Sequence, residues 1–316
     1  MRAKADDRQP DAGPAAGDAA LLSGLLERTS RTFALTIPLL PEPTRRQVTV
    51  AYLLFRIADT FEDAERWDRE GRLTALAEIE GLLRRPDEGE VARRAARWLA
   101  DPPCRHAGYL ELLAAAADVF RMLAALPLRA RASIARHSRR TARAMGSFVA
   151  RGRGDGRLEL EDLADLRAYC YAVAGIVGEM LTELFVAGWR RARPPARRLR
   201  ERAAAFGEGL QLVNILRDAD ADTRAGRRYL PAGVAPGEIF TLARRGLQRG
   251  EEYVLALHEA GADRGLVAFT ALPVLLARPT LDRVEAEGPG ARLGRHEVLA
   301  IYGRLESALD AGRPPF

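Results

Sequence analysis

The chain has 316 residues, of which 47% are hydrophobic and 29% are charged, which is enough apolar material for a large core and excludes a disordered or fibrous protein. Its formal net charge is +6, but the basic residues are scattered among acidic ones and form no aromatic-interleaved patch, so we expect no nucleic-acid binding. The two cysteines, Cys104 and Cys170, are far apart and indicate neither a disulfide framework nor a zinc site.

Taken in chain order, the pattern predicts a disordered N-terminal tail over residues 1–19 and a single domain over 20–316. Within that domain apolar residues recur every three or four positions and alternating β-branched runs are missing, so the predicted fold class is all-α. The predicted helices are 43–65, 68–85, 88–100, 107–125, 128–151, 161–190, 195–222, 236–260, 264–277 and 295–311. Several are apolar on more than one face, as central helices around a cavity are.

The most apolar stretches do not predict a membrane span. Residues 266–277 are too few to cross a bilayer, and the stretch 169–189 carries Glu179 and Glu183. The N-terminus has no apolar segment of the secretory type. We therefore expect a cytoplasmic protein without a transmembrane segment.

Three carboxylates lie inside the otherwise apolar helix predicted at 43–65. Asp59, Glu62 and Asp63 are spaced i, i+3 and i+4, which places them on one helix face, where like charges repel. Such a cluster indicates either a solvated acidic face or a bound cation. The apolar run 52–55 just before it favours the cation.

A second polar stripe lies near the end of the predicted helix 195–222, where Asn214, Asp218 and Asp222 step by four. Mg²⁺ prefers oxygen ligands and completes its shell with water and phosphate oxygens. Taken alone, this stripe is also explained as an acidic helix end leading into a loop. Two such helices facing each other predict a metal–diphosphate site.

These two segments, 59–63 and 214–222, resemble the two acidic motifs of the squalene and phytoene synthase family. Three further stretches are similar to family motifs and occur in the family's order, at 30–33, 169–178 and 226–231. The resemblance covers about residues 20–310. It implies an isoprenoid-synthase helical bundle around a central apolar cavity, in which two prenyl diphosphates are joined head to head.

The resemblance also implies roles for individual residues. The implied Mg²⁺ ligands are Asp59, Glu62, Asp63, Asn214, Asp218 and Asp222. The implied diphosphate contacts are Ser30, Arg31, Arg56, Arg217 and Arg227. Tyr52 and Tyr169 fall where the family places tyrosines near the reacting carbons. Phe33 and Phe269 fall on the cavity wall, although they are equally explained as ordinary core aromatics.

Two glycine-containing segments leave alternatives open. Gly175 and Gly178 either let the backbone border the cavity or admit a kink that widens it, or they allow close helix packing. The segment 226–231 either closes over a bound diphosphate, with Arg227 or Arg228 reaching down, or is an exposed basic loop.

The expected activity is condensation of two farnesyl diphosphates through a presqualene-type cyclopropyl diphosphate to squalene, with Mg²⁺ and with hydride from NADPH. No dinucleotide-binding glycine fingerprint is present, so the sequence assigns no residues to NADPH. The alternatives are a phytoene or dehydrosqualene synthase, a presqualene diphosphate synthase, a terpene cyclase, or a non-catalytic scaffold protein. We expect a monomer with prenyl diphosphate substrates, compatible with peripheral membrane contact for product release.

Overall fold

A computed structural model describes residues 16–152, 158–189 and 195–316 of the chain. These residues form helices joined by short connections, with one two-stranded parallel ladder, so the predicted all-α class is confirmed. The first seven helices are α1 (Ala16–Thr29), α2 (Arg31–Thr36), α3 (Thr44–Glu62), α4 (Arg69–Arg84), α5 (Glu88–Ala100), α6 (Ala107–Ala114) and α7 (Ala116–Ala124). The other seven are α8 (Leu128–Arg151), α9 (Leu163–Cys170), α10 (Ile176–Ala187), α11 (Ala196–Arg224), α12 (Pro236–Glu259), α13 (Arg264–Glu287) and α14 (Arg295–Asp310). A 3-10 turn covers Ile37–Leu39, a π-helical turn covers Tyr171–Gly175, and the strands are β1 (Leu158–Glu159) and β2 (Arg227–Arg228).

The N-terminal part holds two helices that the sequence pattern did not predict. Helix α1 begins at Ala16, inside the segment 1–19 expected to be a tail, while residues 1–15 lie outside the described part of the chain. Its Leu22, Leu25 and Leu26 are buried in the largest core cluster. This burial explains why a short, weakly amphipathic stretch is helical, because tertiary packing supplies most of the stability of such helices.

Two predicted helices are interrupted. The segment 107–125 divides at Ala115 into α6 and α7. The segment 161–190 begins at Leu163 and changes to a π-helical turn at Tyr171–Gly175 before α10 continues. The breaks expected at 152–156 and 194–195 lie mostly outside the described residues.

Helix α13 is longer than predicted. Its expected end at residue 277 is wrong, because the helix, which already contains Pro273, continues past Pro279 to Glu287. An interior proline costs about 3 kcal/mol, but burial of Leu281 and Val284 beyond it returns about 1.5–3 kcal/mol each. The helix ends instead at Gly288, whose φ of +93° is a conformation that glycine adopts without strain.

The extension of α13 makes it long enough to be compared with a membrane-spanning helix. By length and composition alone, Arg264–Glu287 and Leu163–Ala187 are both long and apolar enough to cross a bilayer. In their most apolar windows, 67% and 50% of the residues respectively are buried inside the protein, as in core helices. The shorter helix predicted at 264–277 is too short to cross a bilayer, so only the observed extension makes α13 long enough.

Helix α3 is the central helix of the described structure. Of its 19 residues, 15 are buried, including every residue from Gln47 to Phe55. A helix buried on most of its sides is stable only when other helices surround it. Helices α1, α4, α6, α7, α8 and α10 pack around α3.

The second half of the bundle is packed unusually closely around α11. A Cβ atom placed on Gly178 of α10 would lie 2.0 Å from the carbonyl oxygen of Ala203, and one placed on Gly207 would lie 2.1 Å from that of Ala174. Both glycines therefore allow helix backbones to touch. Gly178 also lines the central cavity, so the two alternatives stated for it hold together.

This contact leads to a stability prediction. We expect Gly178→Ala to lower the free energy of unfolding by about 3 kcal/mol, because the added methyl group collides with backbone atoms that cannot move independently. Urea denaturation would measure the change. Gly146→Ala in α8 is the control: no described atom lies within 4 Å of its Cβ position, so we expect a gain of about 0.5–1 kcal/mol. Equal stabilities of the two variants would contradict the packing assignment.

Candidate active site

A cavity of about 530 Å³ lies between α2, α3, the π-helical turn, α10, α11 and α13. Its polar lining is concentrated in the residues Ser30, Arg56, Asp59, Gln211, Asn214 and Arg217. Most of the remaining wall is apolar and includes Phe33, Phe55, Val177, Met180 and Phe269. The cavity therefore suits a ligand with a charged head and a hydrocarbon body.

The first acidic stripe lies at the C-terminal end of α3. Asp59 faces the cavity and pairs with Arg56 at 3.2 Å, with about a third of its side chain exposed. Burial, reinforced by the charge of Asp63, raises the pKa of Asp59 to about 6, while Arg56 opposes the shift. Glu62 is only 4% exposed, and burial followed by repulsion from Asp63 and Asp59 raises its pKa well above the usual value.

The second acidic stripe lies on the last turns of α11. Asn214 is exposed at the cavity wall. One turn further on, Asp218 pairs with the adjacent Arg217 and with Arg292 at 3.0 Å. Another turn on, Asp222 pairs with Arg227 at 3.2 Å, and burial raises its pKa while Arg227 opposes that shift.

Arg227 joins the two stripes. Its guanidinium lies 3.4 Å from Asp63 on one side and 3.2 Å from Asp222 on the other. The residue belongs to β2, whose pairing with β1 sets Leu158 opposite Arg227 and directs Arg228 towards Glu159, 3.8 Å away. Of the two candidates for reaching down to the site, Arg227 is therefore the one that contacts it.

The donor set suits a hard divalent cation. It consists of carboxylate and amide oxygens on two facing helices, and Glu62 Oε1 is buried with no hydrogen-bond partner among the described residues. In the described ranges no three acidic, histidine or cysteine side chains already form an ion-binding cluster. Arginines instead neutralise these carboxylates in the present arrangement. The residues thus fit Mg²⁺ by charge and chemistry.

The tyrosines lie on either side of the first stripe. The hydroxyl of Tyr169 donates to that of Tyr229 at 3.1 Å, the two rings stack with centroids 4.7 Å apart, and Tyr169 lies near the Glu62 carboxyl. Burial holds the pKa of both phenols well above the usual value. Tyr52 lines the cavity, and its hydroxyl donates to the carbonyl of Thr29 at 3.0 Å.

The remaining predicted residues divide between the cavity and its surroundings. Ser30 caps α2 by accepting from the Phe33 amide at 3.0 Å, and both residues line the cavity. Phe269 lies on the opposite wall, in edge contact with Phe185. Arg31 is exposed and is not part of the cavity wall, and Tyr169 lies beside Glu62 rather than on that wall.

Two residues near the site were not singled out from the sequence. Tyr229 lies within the family-like segment 226–231, two residues after Arg227, and this position is the only feature of the sequence that points to it. Arg292 had none, because it lies in a loop near Asp218 only in the folded chain. That loop is held to α11 by a hydrogen bond from the Gly290 amide to the Arg217 carbonyl, 2.7 Å long.

The fold and the site together define a class of protein: a helical bundle in which two acidic stripes, joined by Arg227, contribute Asp59 and Asn214 to the wall of a largely apolar cavity. Residues 26–299 match the family model described as squalene/phytoene synthase. The chain belongs to this family, which confirms the resemblance found in the sequence motifs.

Curated relatives include enzymes with different products. The chain is 31% identical to human squalene synthase over 211 residues, 66% of this chain and 45% of that protein. It is 29% identical to a Botryococcus braunii squalene synthase over 196 residues, 62% of this chain and 38% of that protein. It is 31% identical to Thermus thermophilus phytoene synthase over 179 residues, 51% of this chain and 59% of that protein. The matched segments thus span less than half the length of these squalene synthases.

Solved structures agree with the fold. A ligand complex of TcSQS superposes with a TM-score of 0.73 at 24% identity, over 93% of this chain and 89% of that one. A dehydrosqualene synthase complex superposes with a TM-score of 0.58 at 21% identity, over 93% and 97% respectively. At these identities the similarity shows the fold, and it confirms the predicted isoprenoid-synthase bundle.

Proposed function

We propose that the protein is a Mg²⁺-dependent prenyltransferase that condenses two farnesyl diphosphates, through a presqualene-type cyclopropyl diphosphate, to squalene. The observation that carries this proposal is the pair of acidic stripes, bridged by Arg227, beside a largely apolar cavity whose wall includes Asp59 and Asn214. Head-to-head condensation needs that combination, because a diphosphate must leave while the allylic cation stays away from water.

The charged end would bind the diphosphate groups. Ser30, Arg56 and Arg217 line the cavity, while Arg227 lies outside its wall, between Asp63 and Asp222. Arginine pairs with phosphate oxygens through several parallel hydrogen bonds, which orients the group as well as binding it. The residues that would hold Mg²⁺ are Asp59, Glu62, Asp63, Asn214, Asp218 and Asp222. Bound Mg²⁺ supplies charge neutralisation for the departing diphosphate.

The apolar wall would protect the cation. Phe33 and Phe269 stand on it from α2 and α13, and their rings offer electron-rich faces to a positive charge. Close backbone packing at Gly178 and Gly207 leaves little room for water to enter between α10 and α11. Water that reached the cation would convert it to an alcohol, so this packing preserves the condensation.

Tyr169 would assist loss of the proton that closes the cyclopropane ring. Its high pKa keeps it a neutral phenol, which is a weak base by itself. Because the Tyr169 hydroxyl donates to Tyr229, it would accept a proton from carbon as the two phenols pass one on towards the neighbouring acidic stripe.

A product formed without NADPH is the second candidate. Thermus phytoene synthase is as similar by identity as human squalene synthase, and a dehydrosqualene synthase shares the fold. Both of those products arise when the final cation loses a proton instead of gaining hydride. Squalene remains our proposal because squalene synthases are prominent among the relatives and 59–63 resembles their motif more than that of phytoene synthases.

The proposal also covers the location of the protein, its oligomeric state and its contact with a membrane. We propose a cytoplasmic monomer whose cavity opening touches a membrane when an apolar product leaves. Two of the exposed large apolar residues, Leu35 and Leu299, lie close in sequence to the cavity-lining Thr32 and Val298. Exposed leucines beside an apolar cavity suit contact with lipid.

The redox difference between the candidate products supplies the test. With farnesyl diphosphate and Mg²⁺ alone, we expect the cyclopropyl diphosphate or rearranged, water-quenched products. Addition of NADPH should redirect the flux to squalene, and deuteride carried on NADPH should appear in it. Mass spectrometry of the products, repeated with geranylgeranyl diphosphate, would measure this. A product whose identity and deuterium content ignore NADPH would replace squalene by a C30 or C40 polyene, or by the cyclopropyl diphosphate itself.

A further inference from the structure

The guanidinium of Arg56 lies between two tyrosine rings. Tyr52, one turn earlier on α3, has its ring centroid 5.6 Å away, and Tyr109 at the start of α6 has its centroid 5.5 Å away. Arg56 also donates from Nε to the Tyr52 hydroxyl at 3.3 Å and pairs with Asp59 at 3.2 Å. Tyr109 is thus the third residue, with Tyr52 and Asp59, that contacts this cavity-lining arginine, although α6 carries none of the acidic or family motifs.

Tyr109 is itself held in place from outside the site. The His106 ring stacks on it with centroids 4.0 Å apart, and His106 Nδ1 accepts a hydrogen bond from the Tyr109 amide. At the next residue back, a Cβ atom on Gly108 would lie 2.4 Å from the carbonyl oxygen of Arg28, so α6 rests directly on the end of α1. An ion pair between Arg28 and Glu111 reinforces this contact.

We propose that Tyr109 is a positioning residue for diphosphate binding, which it serves by holding the guanidinium of Arg56 towards the charged end of the cavity. This inference rests on the proposed function. A cation over the face of a tyrosine is attracted by the ring, and an arginine held between two rings loses less conformational freedom when a phosphate binds. Tyr109 touches Arg56 and is not part of the cavity wall, so its effect on substrate must pass through that arginine.

Substitutions of Tyr109 separate this role from ordinary packing. We expect Tyr109→Leu to raise the KM for farnesyl diphosphate, and the Kd for inorganic pyrophosphate with Mg²⁺ present, by about 10-fold, with kcat changed less than about 3-fold. Tyr109→Phe keeps the ring face and should stay within about 2-fold of the unaltered protein in both constants. Tyr302→Leu, at a half-buried tyrosine of α14 outside the site, is the control and should leave both constants unchanged.

A double-mutant cycle with Arg56→Gln tests the route of the effect. If Tyr109 acts through Arg56, Tyr109→Leu should weaken pyrophosphate binding no further in a protein that already carries Arg56→Gln. If the leucine variant melts more than about 5 °C below the unaltered protein, Tyr109→Met, with an unbranched apolar side chain, takes its place in the same measurements.

The results distinguish failure of the Tyr109 positioning role from failure of the proposed prenyltransferase function. Unchanged constants in Tyr109→Leu, or equal losses in Tyr109→Leu and Tyr109→Phe, would overturn the positioning role while leaving the prenyltransferase intact. Additive effects of Tyr109→Leu and Arg56→Gln on pyrophosphate binding would also overturn the positioning role. An unaltered protein that neither binds pyrophosphate nor consumes farnesyl diphosphate would instead remove the proposed function, and the inference with it.

Discussion

Asp59→Asn is expected to lower turnover of farnesyl diphosphate by at least about 100-fold while the protein stays folded. Asparagine keeps the shape of the side chain and removes its charge at the point where α3 meets the cavity. Asp222→Asn should act in the same way from α11. Because the two residues lie on different stripes, parallel losses would indicate that both stripes serve one reaction. Pyrophosphate release over a range of Mg²⁺ concentrations would measure the loss.

The control is a residue of α11, the helix that carries Asp222. Asp220 is exposed between Asp218 and Asp222 and is not a member of either acidic stripe. We therefore expect Asp220→Asn to keep full activity. Near-full activity of Asp59→Asn or Asp222→Asn at low Mg²⁺ would refute the assignment of that stripe to metal binding. A loss in Asp220→Asn as large as theirs would point to a general effect of charge near the site.

Stability should respond in the opposite direction from activity. The pKa of Asp59 is raised from 3.8 to about 6, so between these pH values the folded state binds more protons than the unfolded one, and this group lowers stability as pH rises. At pH 7 the ionised carboxyl is therefore unfavourable, and Asp59→Asn should melt at the same or a higher temperature. Thermal melts followed by circular dichroism from pH 4 to 7 should show this advantage growing with pH. An advantage that shrinks over that range would contradict the burial argument.

Tyr169→Phe is expected to cut formation of the cyclopropyl diphosphate about 100-fold while preserving binding of the substrate diphosphate. The change removes only the hydroxyl that donates to Tyr229, and it keeps the ring that packs against Phe148 and Tyr229. Packing should therefore survive. Single-turnover assays of the intermediate, beside a binding measurement with pyrophosphate, would separate the two effects.

Tyr171→Phe provides the matched control. Its hydroxyl, two residues along the chain, is bonded to Glu179 and Arg140 instead of the acidic stripe, so its loss should leave intermediate formation intact. If Tyr169→Phe formed the intermediate at the original rate, or lost stability and activity together, Tyr169 would be a structural residue of the α9 core.

The site was predictable to the extent that it depends on helical spacing. The i, i+3 and i+4 positions of Asp59, Glu62 and Asp63, and the four-residue steps from Asn214 to Asp222, set each stripe on one helix face whatever surrounds it. The acidic pair Glu62 and Asp63 illustrates the limit. Spacing places the two carboxyls together, but it does not show that Glu62 would be buried and Asp63 held by Arg227.

By itself, the sequence determined the all-α class, most of the helices, the two acidic stripes and the family motifs, because each follows from residues that are neighbours along a helix. Tertiary structure alone decided how these pieces meet. Tyr169 and Tyr229 lie 60 positions apart, and Arg56 meets Tyr109 on another helix, while Arg227 joins Asp63 and Asp222, which are 159 positions apart. Tertiary structure also extended α13 past Pro279, beyond its predicted end at residue 277. Such contacts depend on side-chain burial summed over the whole core, which outweighs local preferences and cannot be read from the spacing within any single helix.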